Sequence, residues 1–283
     1  LVRTGPAVLT DGGGQAPRYS LRTLCRALDA ACVLSMKGGP AAALREGCEL
    51  AYATQLVEDA AEGGRRVCGR EIREGLGASV ASDMPPRRPS RFTDDDADLV
   101  AGFWVAAGPK AGRVDAALLG DGAAGAFCLT PTVTQSLRRV ARALAFGRAP
   151  ILLQGPTCAG KTSLIDYLAR RLNVRCARIN NHEHTDGAEY VGRYAPLPDG
   201  TIGWLDGALT GAVRRGEWIL LDELNLAPPD VLEALNRLLD DNRELRLPET
   251  GEVITPHANF RLFATQNPAR CATSGAQYGG RKP

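Results

Sequence analysis

Gly155-Pro156-Thr157-Cys158-Ala159-Gly160-Lys161-Thr162 follows the apolar run Ile151-Leu152-Leu153 and opens a helix-like stretch from Ser163 to Leu172. The octet satisfies G-x-x-x-x-G-K-[ST] at every fixed position. The bare pattern arises by chance in roughly one chain in a hundred of this length, so its surroundings decide the reading. A strand must deliver the backbone to a tight loop, and a helix must begin there. Only then do the loop N–H groups and the positive end of the helix dipole face one anion. Both flanks are present. The octet therefore implies a strand–loop–helix unit that cradles the phosphates of a nucleoside triphosphate.

Working outward, the chain alternates strand and helix from Pro150 onward. The strands are expected at 150–154, 174–180, 217–222 and 260–265, and the helices at 161–172, about 205–215 and 229–240. Such alternation predicts an α/β fold with a parallel sheet covered by helices. Upstream, Thr130 can cap a helix whose first position suits Pro131, with Val133, Leu137, Val140 and Leu144 as its apolar face. Nearer the start, helical patterns run from Ser20 (Leu21, Leu24, Cys25 and Leu28 on one face), over about 41–61, and more weakly around 67–76. Between these regions Met84-Pro85-Pro86-Arg87-Arg88-Pro89 cannot continue a helix. The acidic run Asp94-Asp95-Asp96-Ala97-Asp98 reads as a solvated linker rather than a metal site. Residues 99–128 are ambiguous, with short strands and Gly-rich turns as the reading.

The bulk properties set limits. The chain has 283 residues, 44% hydrophobic and 23% charged, with a formal net charge of +2. That is ordinary globular composition, and the charge is too small to argue for nucleic acid or a membrane surface. No apolar run is long enough to cross a bilayer. The N-terminus, Leu1, carries no secretory pattern, and a piece of a longer polypeptide is expected. Eight cysteines form no C-x-x-C pair. Most read as buried or half-buried thiols in a reducing compartment, with Cys158, inside the phosphate loop, as the exception. His182-Glu183-His184 lacks the H-E-x-x-H spacing of a zinc site and is discounted. Arg138, Arg139, Arg142 and Arg148 read as the solvated side of a helix, and no direct nucleic-acid binding is expected.

Two further stretches carry chemistry. Trp218-Ile219-Leu220-Leu221-Asp222-Glu223 is a buried strand ending in two carboxylates. Ligands of an open parallel sheet bind outside the carboxyl ends of its strands. Asp222 is then placed to hold Mg²⁺, mostly through water, and Glu223 to act as general base on an attacking water. In Phe260-Arg261-Leu262-Phe263-Ala264-Thr265-Gln266-Asn267 a second apolar strand ends beside an amide, and Asn267 can report the γ-phosphate or orient the water.

Together these elements resemble the core of an AAA+ ATPase. Arg178 through Asp186, Glu189-Tyr190-Val191-Gly192, Trp218 through Glu244, Leu247-Pro248-Glu249-Thr250, Pro256-His257 and Tyr278-Gly279-Gly280-Arg281-Lys282 are similar to the midasin family. These dynein-related ATPases carry several AAA+ modules in one chain and act in maturation of the large ribosomal subunit. Tyr19 through Leu28 fits the same family. The resemblance implies a small helical lid of a preceding module over 1–80, a connector over 81–128, and the AAA+ α/β core of the next module over 129–283, ending before its own lid. It implies Arg22 as a sensor for the preceding module's nucleotide. Residues 269–277 depart from the pattern as an insertion, and the family's arginine finger is not reached.

The expected cofactors are ATP and Mg²⁺. Backbone amides of the loop wrap the β-phosphate, Lys161 pairs with the β- and γ-phosphates, and Thr162 with Asp222 holds the metal. The resemblance further implies a nuclear location, neighbouring AAA+ modules as partners, and pre-60S particles with their assembly factors as the remodelled target. The isolated chain is expected to bind ATP and hydrolyse it slowly, because an arginine finger can contribute about 10³-fold or more. Two other readings share the same loop: a structural module that holds ATP without turnover, and a stand-alone chaperone ATPase of MoxR type.

Overall fold

The computed structural model describes residues 21–35, 40–53, 70, 74, 93, 96–109, 127–182, 185–196, 200–240 and 243–267. They fall into two compact units. One comprises the described residues of Leu1–Cys32 and Pro40–Ser82, and the other those of Val33–Gly39 and Asp83–Asn267.

In the helical unit, α1 (Leu21–Ser35) is followed by α2 (Pro40–Cys48), which runs into one π-helical turn at Glu49–Ala53. The expected helix over 41–61 is helical over its described part, 41–53, with a π-helical end, and 54–61 lies outside the described residues. The face of α1 also differs from expectation. Ala27, Ala30, Ala31 and Leu34 are buried, whereas Leu21, Leu24 and Leu28 are exposed. The cause is a close helix crossing. A Cβ added at Gly47 in α2 would lie 2.3 Å from the Ala27 carbonyl and 3.1 Å from the Ala31 Cβ. Only small residues on both sides permit that approach.

The second unit begins with a hairpin, β1 (Ala97–Val100) and β2 (Phe103–Ala106). Its two-residue turn, Ala101-Gly102, has φ of 46° and 90°, which matches the twist of the strands. The hairpin packs on α3 (Pro131–Phe146), where Arg138 lies over the Phe103 ring at 5.2 Å. Arg171 donates to the Leu99 carbonyl at 2.8 Å and pairs with Asp98. Residues 96–108 are therefore part of the core unit, not a free connector, and Asp98 is engaged rather than merely solvated. Thr130 caps α3 by accepting from the Val133 N–H, as the sequence predicts. Arg142 corrects the expected solvated face: it is 3% exposed.

The central sheet consists of β3 (Ile151–Gln154), β4 (Cys176–Asn180), β7 (Trp218–Asp222) and β10 (Arg261–Gln266). All pairings are parallel, in the order β3-β10-β7-β4. α4 (Lys161–Arg171) lies against β7 and β10. On one face Ile219, Leu221, Leu262 and Ala264 pack with Leu209, Val213, Val231 and Leu235, which come from α6 (Ala208–Arg215) and α7 (Pro229–Leu239). Leu220 and Phe263, adjacent across β7 and β10, turn to the other face, with Trp218 and Phe263 ring centroids 4.9 Å apart. β7 is buried at all five residues, the mark of a central strand covered on both sides.

Four short elements complete the unit: helix α5 (Gly187–Tyr190), the hairpin β5 (Gly192–Pro196) with β6 (Ile202–Asp206), and the pair β8 (Leu245–Arg246) and β9 (Val253–Ile254). The β5–β6 hairpin replaces the expected helix start near 205. It is held by its own ladder and by the Tyr194–Trp204 edge contact at 5.4 Å, and of its strand residues only Gly192 is buried. It therefore lacks the apolar alternation that betrays a half-buried strand.

Of the cysteines, Cys48 and Cys176 are half-buried as expected, but Cys25, Cys32 and Cys128 are exposed, as is Cys158. Among the described residues no helix is long and apolar enough to cross a membrane, and no group of three or more His, Cys, Asp or Glu could hold a metal ion.

Candidate functional site

The loop 155–160 leaves the carboxyl end of β3 and enters α4. Two residues of it adopt left-handed backbone, Gly160 at φ 76° and Cys158 at φ 63°. Nothing lies within 4 Å of the position a Gly160 Cβ would occupy, so it is the left-handed φ rather than crowding that favours glycine there. The Gly155 N–H donates to the Gln266 carbonyl at 3.3 Å, tying the loop to β10. Lys161 points back into the loop. Its Nζ donates to the carbonyls of Gly155 (2.9 Å) and Pro156 (2.8 Å) and to Asn267 Oδ1 (3.1 Å). Asn267, one residue beyond β10, is thus brought against the loop.

Asp222 ends β7 and is buried. Thr162 Oγ1 donates to its two oxygens at 3.0 and 3.1 Å. Arg178 of β4 donates to Oδ2 at 2.5 Å, and the Thr265 hydroxyl donates to Oδ1. Burial pushes the Asp222 carboxyl up, but hydrogen bonds from Thr265, Arg178 and Thr162, with the Arg178 charge, outweigh it and hold the group below its ordinary range. The Asp222 carbonyl accepts from the Asn181 side chain at 2.8 Å and its N–H at 3.1 Å. Asn181 in turn accepts from the Tyr190 hydroxyl, which burial pushes up to about 12 and so keeps protonated as a donor.

Glu223 follows with φ 53°, a left-handed conformation that a non-glycine residue rarely adopts. Its N–H donates to Thr265 Oγ1 at 3.1 Å. One hydroxyl therefore accepts from Glu223 and donates to Asp222, fixing the two carboxylate residues relative to each other.

The structure brings together Gly155 through Thr162, Asp222, Glu223 and Asn267 at the carboxyl ends of three adjacent parallel strands. Sequence reading missed Thr265, Arg178, Asn181 and Tyr190. The signal for Thr265 was present, a hydroxyl in an otherwise apolar run. Arg178 gave none, because only the sheet order sets it beside β7. The Arg22 side chain, Glu183, His184 and 268–283, including the expected insertion, lie outside the described residues. A hydroxyl and a carboxylate 3.0 Å apart are hard oxygen donors that suit Mg²⁺. A loop with left-handed backbone at Cys158 and Gly160, leading into a helix N-terminus, and a lysine ammonium held against its carbonyls suit a phosphate chain.

Strand order, phosphate loop and paired carboxylates define a P-loop nucleotide-binding protein with an AAA+ core. Residues 150–278 match the AAA domain of the dynein-related subfamily, and residues 4–72 match the midasin AAA lid domain. The chain is 42% identical to midasin of Dictyostelium discoideum and 36% identical to midasin of Giardia intestinalis, over 97% of its length in each case. It belongs to the midasin family. The chain spans 4% and 6% of the length of these two relatives. A shorter stretch, 42% of the chain, is 42% identical to the denitrification regulatory protein NirQ of Pseudomonas aeruginosa and covers 45% of that protein.

Proposed function

We propose that the chain binds and hydrolyses Mg·ATP as one module of a multi-module AAA+ motor that remodels pre-60S ribosomal particles in the nucleus. The observation that carries the nucleotide site is the convergence of Lys161, Thr162, Asp222, Glu223 and Asn267 at one end of the sheet. Backbone amides of 157–162 receive the β-phosphate. Lys161 exchanges its loop carbonyls for β- and γ-phosphate oxygens. Thr162 and Asp222 hold the magnesium, whose charge offsets that of the phosphates. Glu223 takes a proton from the attacking water, and Asn267 orients that water toward the γ-phosphate. Lid, core and partners follow the family pattern: 1–80 serves the preceding module, 129–283 forms this one, and neighbouring modules of the same polypeptide are the direct partners.

A module that binds ATP without turnover needs the loop but no general base. The carboxylate of Glu223 at the end of β7 favours turnover, since a module that only binds needs no such group there. The test is calorimetric titration of the 283-residue chain with Mg·ATP beside Lys161→Ala, with phosphate release from Glu223→Gln measured in parallel. Binding lost in Lys161→Ala, and turnover lost with binding kept in Glu223→Gln, is the expected result. Turnover unchanged in Glu223→Gln would remove the general-base assignment.

A further inference from the structure

Arg178 is the third residue of β4, opposite Leu220 across the pair with β7. Its guanidinium reaches Asp222 Oδ2 at 2.5 Å. The two partners are unequally fixed. The Asp222 side chain is 10% exposed and that of Arg178 is 55% exposed. Asp222 is further pinned by Thr162, by Thr265 and, through its carbonyl, by Asn181. Arg178 has a long flexible stem and a charged head that water can receive. If the pair opens, Arg178 is the side that moves.

A carboxylate offers about four acceptor directions on two oxygens. The chain's own donors already engage both oxygens of Asp222, and the one on Oδ2 carries a full positive charge. A divalent cation approaching the Thr162 hydroxyl and Asp222 therefore meets a like charge at the oxygen it would share. Charge-assisted bonds of this kind are the stronger class, while the exposure of Arg178 limits what this one contributes.

We propose that Arg178 is a displaceable internal competitor of the divalent cation at Asp222, and so sets the magnesium concentration at which the site loads nucleotide. The proposal rests on the Mg·ATP reading of the site and makes Arg178 a positioning residue, not a catalytic one. A purely structural Arg178, one that only holds Asp222 in place for the metal, predicts the opposite sign: losing it weakens magnesium use. General electrostatics also predicts the opposite, because removing a cation near the loop weakens binding of anionic ATP.

The experiment follows binding of a fluorescent ATP analogue to the full 283-residue chain while magnesium is raised from a chelated start. Wild type, Arg178→Met, Arg178→Gln and Arg178→Lys are compared. The half-exposed position tolerates all three, and thermal unfolding without nucleotide checks that each is folded. The magnesium midpoint is expected to fall by about 2–5-fold in Arg178→Met and Arg178→Gln, and to stay nearer wild type in Arg178→Lys. Binding in chelator is expected to be unchanged or weaker in the two neutral variants. ATP binding with an unmoved or raised midpoint in both neutral variants overturns this proposal alone. No ATP binding to wild type at any magnesium concentration overturns the nucleotide-site reading, and this proposal with it.

Discussion

The strand Trp218–Asp222 and the helix Leu21–Ser35 carry comparable apolar patterns and meet opposite surroundings. Ile219 and Leu221 are fully buried between helices and flanking strands. Leu21, Leu24 and Leu28 are 76%, 43% and 46% exposed, while Ala27, Ala30 and Ala31 are covered. Periodicity locates a stripe of apolar residues but does not say which stripe does the packing. In α1 the smaller stripe wins, because Gly47 lets α2 approach too closely for leucine.

The largest expected effect breaks or upholds this contrast directly. Leu221→Ala should cost about 2–5 kcal/mol of stability, from lost burial and the cavity left behind. Leu24→Ala should stay within about 0.5 kcal/mol of wild type. Urea unfolding of both variants measures the difference, and equal losses would mean that the outward face of α1 is packed after all.

Next in size is Thr265→Val, which keeps the shape and removes the hydroxyl that Asp222 and Glu223 share. It leaves the Glu223 N–H without its acceptor and Asp222 short of one donor, at a cost of about 1–3 kcal/mol. Thr265→Ser should restore most of it. A valine variant as stable as wild type would show that water replaces the hydroxyl without loss.

The helical unit has its own point of sensitivity. Gly47→Leu forces a side chain into the 2.3 Å approach to the Ala27 carbonyl, and overpacking of this kind costs about 1–3 kcal/mol. Hydrogen exchange sharpens the comparison with the core. Amides of α1 and α2 should exchange faster, while those of β7 and β10 keep their protection. Faster exchange in both would mean that the two units unfold as one.

What the sequence made legible follows the same division. The four sheet strands and the helices at 131–146, 161–171 and 229–239 were readable because each pairs a strong apolar period with a clear boundary, such as Thr130-Pro131 or Gly160. The phosphate loop, Asp222, Glu223 and Asn267 were readable because their spacing follows from strand ends in one sheet. The β5–β6 hairpin was not, since almost none of its residues is buried and they show no alternation. The β1–β2 hairpin was legible only in part, as short strands with Gly-rich turns somewhere in 99–128, and its start was missed because Asp98 reads as solvated until Arg171 is placed beside it. Arg178 and Thr265 could not be joined to Asp222 from sequence, because strand order, not chain order, makes them neighbours.

The smallest expected effect concerns acid, and it separates burial from hydrogen bonding at Asp222. Burial alone would raise the carboxyl, and the donors around it would lower it; the net direction is below the ordinary value of 3.8. A group depressed in the fold binds fewer protons there than in the unfolded chain, so stability rises with pH across the interval between the two values. The contribution of Asp222 is complete above its unfolded value and is lost as pH falls through the lower folded one. Glu217 is also held low, by the hydrogen bond from Arg215, and contributes with the same sign, so the wild-type curve alone cannot isolate Asp222. Comparison with Asp222→Asn can, because Glu217 is common to both. The stability difference between the two proteins should be flat from pH 7 to about pH 5 and shrink below about pH 4. A difference that grows as acid is added would mean that burial outweighs Thr162, Thr265 and Arg178, and that the carboxyl is raised rather than lowered.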